Sequence, residues 1–302
     1  MNRPKLILLC GIPGAGKTCF AQKLLQDSCY KGKIIHLSSD AIRAELWGNE
    51  VIQGDNNQVF NLMRTRAVEA LNNGKSVIYD CTSMTRKDRA PIIAACPKFA
   101  KISCYVVWAP IEVCIERDAA RERTVGKEVI DRMLKRFQAP YFDEGFDDIY
   151  VHCSVENFDT QKYLQDMVDA MKIPHDNPHH TLDVFDHCVE AAKYIEKREG
   201  PYTAIWAASI LHDVGKPHVK AFVNSKGEPC EQARFYQHQC AGSWQFYGTQ
   251  QMLNMSYSDF LKSAWLISVH MDPFLNTKYY HNLPAYLKAE VDLLHEADLQ
   301  AH

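Results

Sequence analysis

The run "KLILLC" ends in Gly11-Ile12-Pro13-Gly14-Ala15-Gly16-Lys17-Thr18 and passes straight into the amphipathic stretch "TCFAQKLLQ". No other feature limits the fold so tightly. The spacing G-x-x-x-x-G-K-[ST], set between a strand and a helix, lets successive backbone N–H groups wrap a phosphate while the helix N-terminus adds its positive dipole. Gly11, Gly14, Ala15 and Gly16 supply the cradle. Lys17 is placed to reach the β- and γ-phosphates of ATP, and the Thr18 hydroxyl to ligate Mg²⁺.

The rest of the first half keeps the same rhythm. Short apolar runs ("KIIHL", "KSVIYDC", "AKISCYVVWA", "DDIYVHCS") alternate with helical segments ("DAIRAELW", "QVFNLMRTRAVEALNNG", "RKDRAPIIAAC", "DTQKYLQDMVDAMK"). This alternation predicts an α/β domain over residues 1–173, a parallel sheet with flanking helices. The breaker-rich "IPHDNPHH" reads as a linker, and residues 178–302 as an all-α domain, because every later segment carries helical spacing.

The hydrophobic share of 46% supports real cores, and a formal net charge of −3 excludes a basic field over the whole molecule. Anionic ligands must therefore be held by local patches, such as the arginine-rich stretch from Thr85 to Arg136. Eleven cysteines without a CxxC pair argue for a reduced, cytoplasmic chain rather than a disulfide framework. The N-terminal apolar run is too short for a signal peptide, and no run is long enough for a membrane span.

A P-loop does not name its acceptor. "SSDAIRAEL" sets Asp40 and Arg43 on one face of a helix's first turn, at the carboxyl end of the second strand. A carboxylate there can accept a hydroxyl proton while the Arg fork grips a phosphate; Ser38, Ser39 or Asp40 can equally serve as helix cap. Asp80 closes the third strand, where it can organise Mg²⁺ or cap the next turn. "ERDAARERTVGK" places Arg117, Arg121 and Arg123 at spacings that share a helix face, as lid arginines or as a solvated basic face.

Together these residues resemble the polynucleotide 5′-hydroxyl kinase family over about residues 4–145. The resemblance implies ATP and Mg²⁺ at Lys17 and Thr18, Asp40 as general base, and Arg43 on the phosphate beside the acceptor nucleotide. It implies Arg121 or Arg123 on the γ-phosphate.

The second half carries a different pattern. His187, His212, His270 and Asp298 each lie in register with the apolar stripe of a separate helical segment, and Asp213 follows His212. A buried carboxylate does not stay ionised without a cation, so several inward His and Asp residues point to a metal of mixed N/O ligation. Gly215 supplies the helix end that lets His212 and Asp213 share an ion, and His238 and His270 complete the site or hold a second ion. His180 reaches the site's edge, while His175, His179, His281, His295 and His302 read as linker or solvent positions. For Lys216 a helix C-terminal cation is the simpler reading.

This H…HD…D arrangement resembles the HD phosphohydrolases, and "LHDVGKP" with "ARFYQHQCAGS" resembles the HD domain of CCA-adding tRNA nucleotidyltransferases. That resemblance implies hydrolysis of 2′- and 3′-phosphates or 2′,3′-cyclic phosphates with a transition metal such as Mn²⁺, Ni²⁺ or Co²⁺, and Lys216 on the scissile phosphate. Gln239 stands where the family has Glu, which removes one acidic group.

The two resemblances join as an expectation: an enzyme that heals nucleic-acid ends, RNA rather than DNA, with a separate RNA ligase as the partner that seals them. Two other readings predict different behaviour. A small-metabolite kinase fused to a nucleotide phosphohydrolase would ignore RNA ends, and an ATP-gated switch with a nucleotide-sensing second half would bind metal without turnover.

Overall fold

The structure, a computed structural model, describes residues 3–27, 32–50, 52, 54–176, 181–250 and 252–301. Its contacts fall into two compact units, residues 1–130 with 140–156, and residues 131–139 with 157–302.

Strands and helices alternate through the first unit: β1 (Lys5–Cys10), α1 (Lys17–Gln26), β2 (Ile34–Ser38), α2 (Ser39–Trp47), α3 (Asn56–Asn72), β3 (Ser76–Asp80), α4 (Arg86–Ala95), β4 (Lys101–Trp108), α5 (Ile111–Ala119), α6 (Lys127–Leu134, running into residues of the second unit) and β5 (Asp148–Cys153). The five strands are all parallel in the order β2-β3-β1-β4-β5. β1 lies at the centre, and its residues Leu6 to Cys10 are buried, as a strand covered on both faces requires. Phe20 and Ala21 of α1 pack onto Ile7, Leu9, Ile78 and Val107 of the sheet. The chain order changes direction across β1, so the loop after it opens at the carboxyl edge where such sheets bind ligands. Gly14 and Gly16 take φ of 79° and 94° there. A Cβ on Gly14 would sit 2.1 Å from the Cys114 carbonyl oxygen of α5, so glycine is required by space as well as by φ.

A buried ion pair fixes the neighbouring loop. Arg89 on α4 donates through Nε and Nη2 to Glu144 at 2.7 and 2.6 Å, and through Nη1 to the Ser83 carbonyl at 3.0 Å. Ser83 holds a left-handed φ of 46°, three residues past Asp80. Removing the carboxylate with Glu144→Ala leaves a buried guanidinium without its counter-ion, which costs about 3–5 kcal/mol. Urea unfolding should show that loss, and the apolar double replacement Arg89→Met with Glu144→Met should recover most of it.

The second unit is mainly helical: α7 (Thr160–Met171), α8 (Val184–Glu199), α9 (Ala204–Leu211), α10 (Lys216–Val219), α11 (His238–Phe246), α12 (Tyr257–Val269), α13 (Asp272–Leu275), α14 (Lys278–His281) and α15 (Ala285–Gln300). Asp183, Thr203 and Ser256 cap α8, α9 and α12 through their side chains. α8 packs along α9 and α15, and α12 along α9 and α11. The sequence pattern groups α7 with residues 1–173. In the structure it packs within the helical unit, with Met167 and Met171 buried and the Tyr163 hydroxyl donating to the Gln245 carbonyl at 3.3 Å.

Two expectations need correction. The second half is not all-α, because β6 (Ala221–Val223) and β7 (Pro229–Arg234) form an antiparallel hairpin. Its strands are short and mostly exposed, so they show no apolar alternation to read. For the same reason "QARFYQHQ" is not one helix: Gln232 to Arg234 end β7, and α11 starts at His238. Every described cysteine is a free thiol. Among the described residues no helix is long and apolar enough to cross a membrane.

Candidate functional sites

The P-loop presents Thr18 in the exposed first turn of α1. The Lys17 ammonium curls into the loop and donates to the carbonyls of Gly11 and Ile12 at 2.9 and 3.0 Å. Burial pulls the Lys17 pKa down, and the nearby Asp80 carboxylate opposes that shift.

Asp80 is buried at the end of β3 and faces Nε2 of His36 on the adjacent β2 at 3.0 Å. The sequence pattern gives no sign of His36. Only the register of β2 on β3 brings these residues together.

On the same edge, Arg43 Nη1 donates to Asp40 Oδ1 at 2.7 Å. No side chain caps α2 at Ser38, and the Asp40 carboxylate is engaged by the guanidinium. Arg123 separates from its neighbour at this point. Its Nη1 lies 4.0 Å from Asp40 Oδ2 and 2.8 Å from Glu50, whereas Arg121 is exposed. Arg117 does not face this edge. It donates to the Ser154 hydroxyl and carbonyl at 2.7 and 3.0 Å, and it reaches the Gly14 carbonyl. Arg117 therefore braces the phosphate loop from behind.

In the helical unit, side-chain atoms of His187, His212, Asp213 and Asp298 lie within 4.8 Å of one another, and those of Asp213, His238 and His270 form a second such group. Four rings share one orientation. Nδ1 of His187, His212, His238 and His270 faces the carbonyls of Ala301, Ser209, Phe235 and Ile267 at 2.7, 2.7, 2.9 and 2.8 Å. A carbonyl only accepts, so each Nδ1 carries a proton and each ring turns its Nε2 inward, where a ring that holds no second proton presents a bare lone pair.

Those lone pairs meet other acceptors. His187 Nε2 is 2.9 Å from Asp298 Oδ1, His238 Nε2 is 3.1 Å from Asp213 Oδ1, and the Nε2 atoms of His238 and His270 are 3.0 Å apart. His212 Nε2 is fully buried, makes no hydrogen bond, and faces both carboxylates at 3.3 Å. Such contacts are repulsive unless protons or a cation stand between them. A divalent metal ion meets that need, and neutral imidazole with carboxylate is the donor set such ions take.

Titration within the cluster shows the same crowding. Burial and the neighbouring histidines push His270 down to about 3. Against the effect of burial, Lys216 and His212 hold Asp213 well below the usual carboxylate range.

Gly215 has a role other than the expected one. α9 already ends at Leu211, and Gly215 has an ordinary φ of −79°. A Cβ there would come within 2.1 Å of the His238 carbonyl oxygen and 2.5 Å of the Gly242 nitrogen. The glycine lets α11, which carries His238, approach the His212–Asp213 turn. Gly215→Ala should displace that helix and weaken metal binding about 10–100-fold, measured as bound Mn²⁺ per chain across a metal titration.

His175, expected from sequence to be a linker residue, is buried, with Nε2 3.1 Å from the Lys216 ammonium. Lys216 is itself buried and contacts Asp213 Oδ2 at 2.5 Å. Gln239 is buried and bonds Gln237. His179, His180 and His302 lie outside the described residues.

The chain resembles known proteins over part of its length. Residues 6–140 match the family model described as AAA domain. The chain is 29% identical over 175 residues to the L-seryl-tRNA(Sec) kinase of Methanococcus maripaludis, covering 54% of this chain and 65% of that protein. It is 26% identical over 162 residues to transcription factor bHLH140 of Arabidopsis thaliana, covering 50% of this chain and 16% of that protein. The chain thus spans less than two thirds of either relative. Among solved structures, the Pnkp1/Rnl/Hen1 RNA repair complex aligns with a TM-score of 0.41 at 22% identity, over 49% of this chain and 47% of that one. A gluconokinase from Sinorhizobium meliloti 1021 aligns with a TM-score of 0.36 at 16% identity, over 51% and 86%. The parallel sheet, flanking helices and phosphate loop of the first unit fit a P-loop kinase fold.

Proposed function

We propose that this chain heals cleaved RNA ends, phosphorylating a 5′-hydroxyl with ATP and removing a 2′- or 3′-phosphate or 2′,3′-cyclic phosphate. The observation that carries the reading is that one chain holds two clusters whose residue types suit phosphate chemistry. One is the Asp40–Arg43–Arg123 group at the phosphate-loop edge of the sheet, and the other is the His/Asp cluster with Lys216 beside it. Similarity to a kinase that acts on a seryl-tRNA adds support for an RNA acceptor.

In the first unit, Asp40 takes the proton of the 5′-hydroxyl, whose oxygen bonds to the γ-phosphorus as ADP leaves. Lys17 and Arg123 offset the charge that develops on the phosphoryl oxygens, and Arg43 orients Asp40. Thr18 and Asp80 are the residues that would hold Mg²⁺. In the second unit, His187, His212, Asp213, His238, His270 and Asp298 would hold a transition metal such as Mn²⁺, Ni²⁺ or Co²⁺. When bound, it supplies Lewis-acid polarisation of the phosphate and acidification of water. Lys216 offers its ammonium to the phosphate ester. RNA fits better than DNA because a cyclic phosphate needs a 2′-hydroxyl. The product ends, 5′-phosphate and 3′-hydroxyl, suit a separate RNA ligase.

The test is one incubation: protein, ATP, Mg²⁺ or Mn²⁺, and an oligoribonucleotide with 5′-hydroxyl and 2′,3′-cyclic phosphate ends. Both ends should change, and a ligase should then join them. Phosphorylation of a small hydroxyl metabolite in preference to the RNA, or two unchanged ends, would overturn the reading.

A further inference from the structure

The linker residue His175 has too many fixed contacts for a passive position. Residues 173–176 are strapped to the helical unit. Pro174 bridges to Asp183, and the Val184 N–H donates to the Ile173 carbonyl at 3.1 Å. Lys220 donates to the Pro174 carbonyl at 2.6 Å and pairs with Asp176 at 2.6 Å, while the Ala233 N–H donates to the Asp176 carbonyl at 3.1 Å. The result is a buried imidazole with Nδ1 on the Leu182 carbonyl at 3.0 Å and Nε2 on the Lys216 ammonium at 3.1 Å.

The chemistry allows one assignment of protons. An ammonium has three donors and no acceptor, so His175 Nε2 must be bare and its Nδ1 protonated, which the Leu182 carbonyl accepts. One Lys216 donor is then committed to His175, and the ammonium's charge pairs with Asp213 Oδ2 at 2.5 Å. Phe235 covers the same ammonium, its ring centroid 5.4 Å away. A lysine side chain ordinarily samples many rotamers, whereas this one is held from three sides.

We propose that His175 is a positioning residue of the His/Asp centre. It holds the Lys216 ammonium so that a remaining N–H is presented to a phosphoryl oxygen of the substrate, and the 173–176 strap serves to deliver it. This inference rests on the hydrolase reading above.

The test compares wild type, His175→Phe and His175→Gln as full chains. Phe keeps an aromatic ring but accepts nothing, and Gln restores an acceptor at a similar reach. All three should bind equal amounts of Mn²⁺. In the Mn²⁺-loaded proteins, His175→Phe should weaken binding of inorganic phosphate and raise KM for the terminal phosphate about 10–100-fold, the worth of a hydrogen bond to a charged group. His175→Gln should recover most of that loss. Nitrogen-15 NMR of the wild type should show His175 with Nδ1 protonated and Nε2 bare. Wild-type phosphate affinity in His175→Phe, a Gln variant no better than Phe, or a protonated Nε2 would overturn the proposal. If those variants are indifferent while wild type hydrolyses its substrate, only this inference falls. A wild type that neither hydrolyses the ester nor binds phosphate overturns the hydrolase reading along with it.

Discussion

Asp213→Ala is expected to abolish metal binding by the helical unit and hydrolysis of terminal phosphates, while ATP-dependent phosphorylation continues. Asp213 belongs to both candidate ligand groups, so its removal takes a carboxylate from each at once. It also leaves the buried Lys216 ammonium without its counter-ion, a loss of about 3–5 kcal/mol in a buried pair. Asp213→Asn keeps the shape and separates the lost charge from the lost volume. Elemental analysis should find a transition metal in the wild type and none in either variant. Added Mn²⁺ at a hundred times its dissociation constant should stabilise the wild type by about 2.7 kcal/mol and the variants not at all. A wild type without metal, whose melting temperature ignores Mn²⁺, Ni²⁺ and Co²⁺, would remove the basis of the prediction.

Asp40→Ala should produce the complementary result, a fall in 5′-phosphorylation of about 10²–10⁴-fold, the usual worth of a general base. Hydrolysis at the other end of the RNA should be untouched. ATP affinity should hold, because the phosphate loop lies on a different strand and keeps its own bracing by Arg117. Initial rates of label transfer from ATP, measured beside nucleotide binding, distinguish this role from a helix cap. A cap loss costs stability of about 1 kcal/mol and leaves turnover nearly intact. The geometry already disfavours the cap, since Arg43 and not a backbone N–H engages the carboxylate.

What the sequence conveyed depended on how local each constraint is. The phosphate loop was legible because eight consecutive residues carry it and a strand and helix must flank it. The His/Asp cluster was legible in part, because His187, His212, His270 and Asp298 fall in step with the apolar period of their own segments even though His187 and Asp298 lie 111 residues apart. Contacts without a local signature stayed hidden. His36 meets Asp80 only through strand register, and His175 reaches Lys216 only through the strap. Arg89 and Glu144, 55 residues apart, look like two ordinary surface charges until their burial is seen. Gly215 was legible as significant for the wrong reason, since the atoms that forbid a side chain there belong to α11. The hairpin of β6 and β7 escaped because exposed strands have no apolar face to betray them.

His212 and His270 are each the residue at which a helix stops, α9 in one case and α12 in the other. The oxygens that steady them, on Ser209 and Ile267, are among those left over when a helical ladder runs out. The grip on these rings is thus written into the main chain rather than into the side chains at 209 and 267, which are buried in contacts of their own. Adding one more turn to either helix would claim that oxygen for the ladder and set its ring loose. What the protein must conserve there is the place where each coil ends.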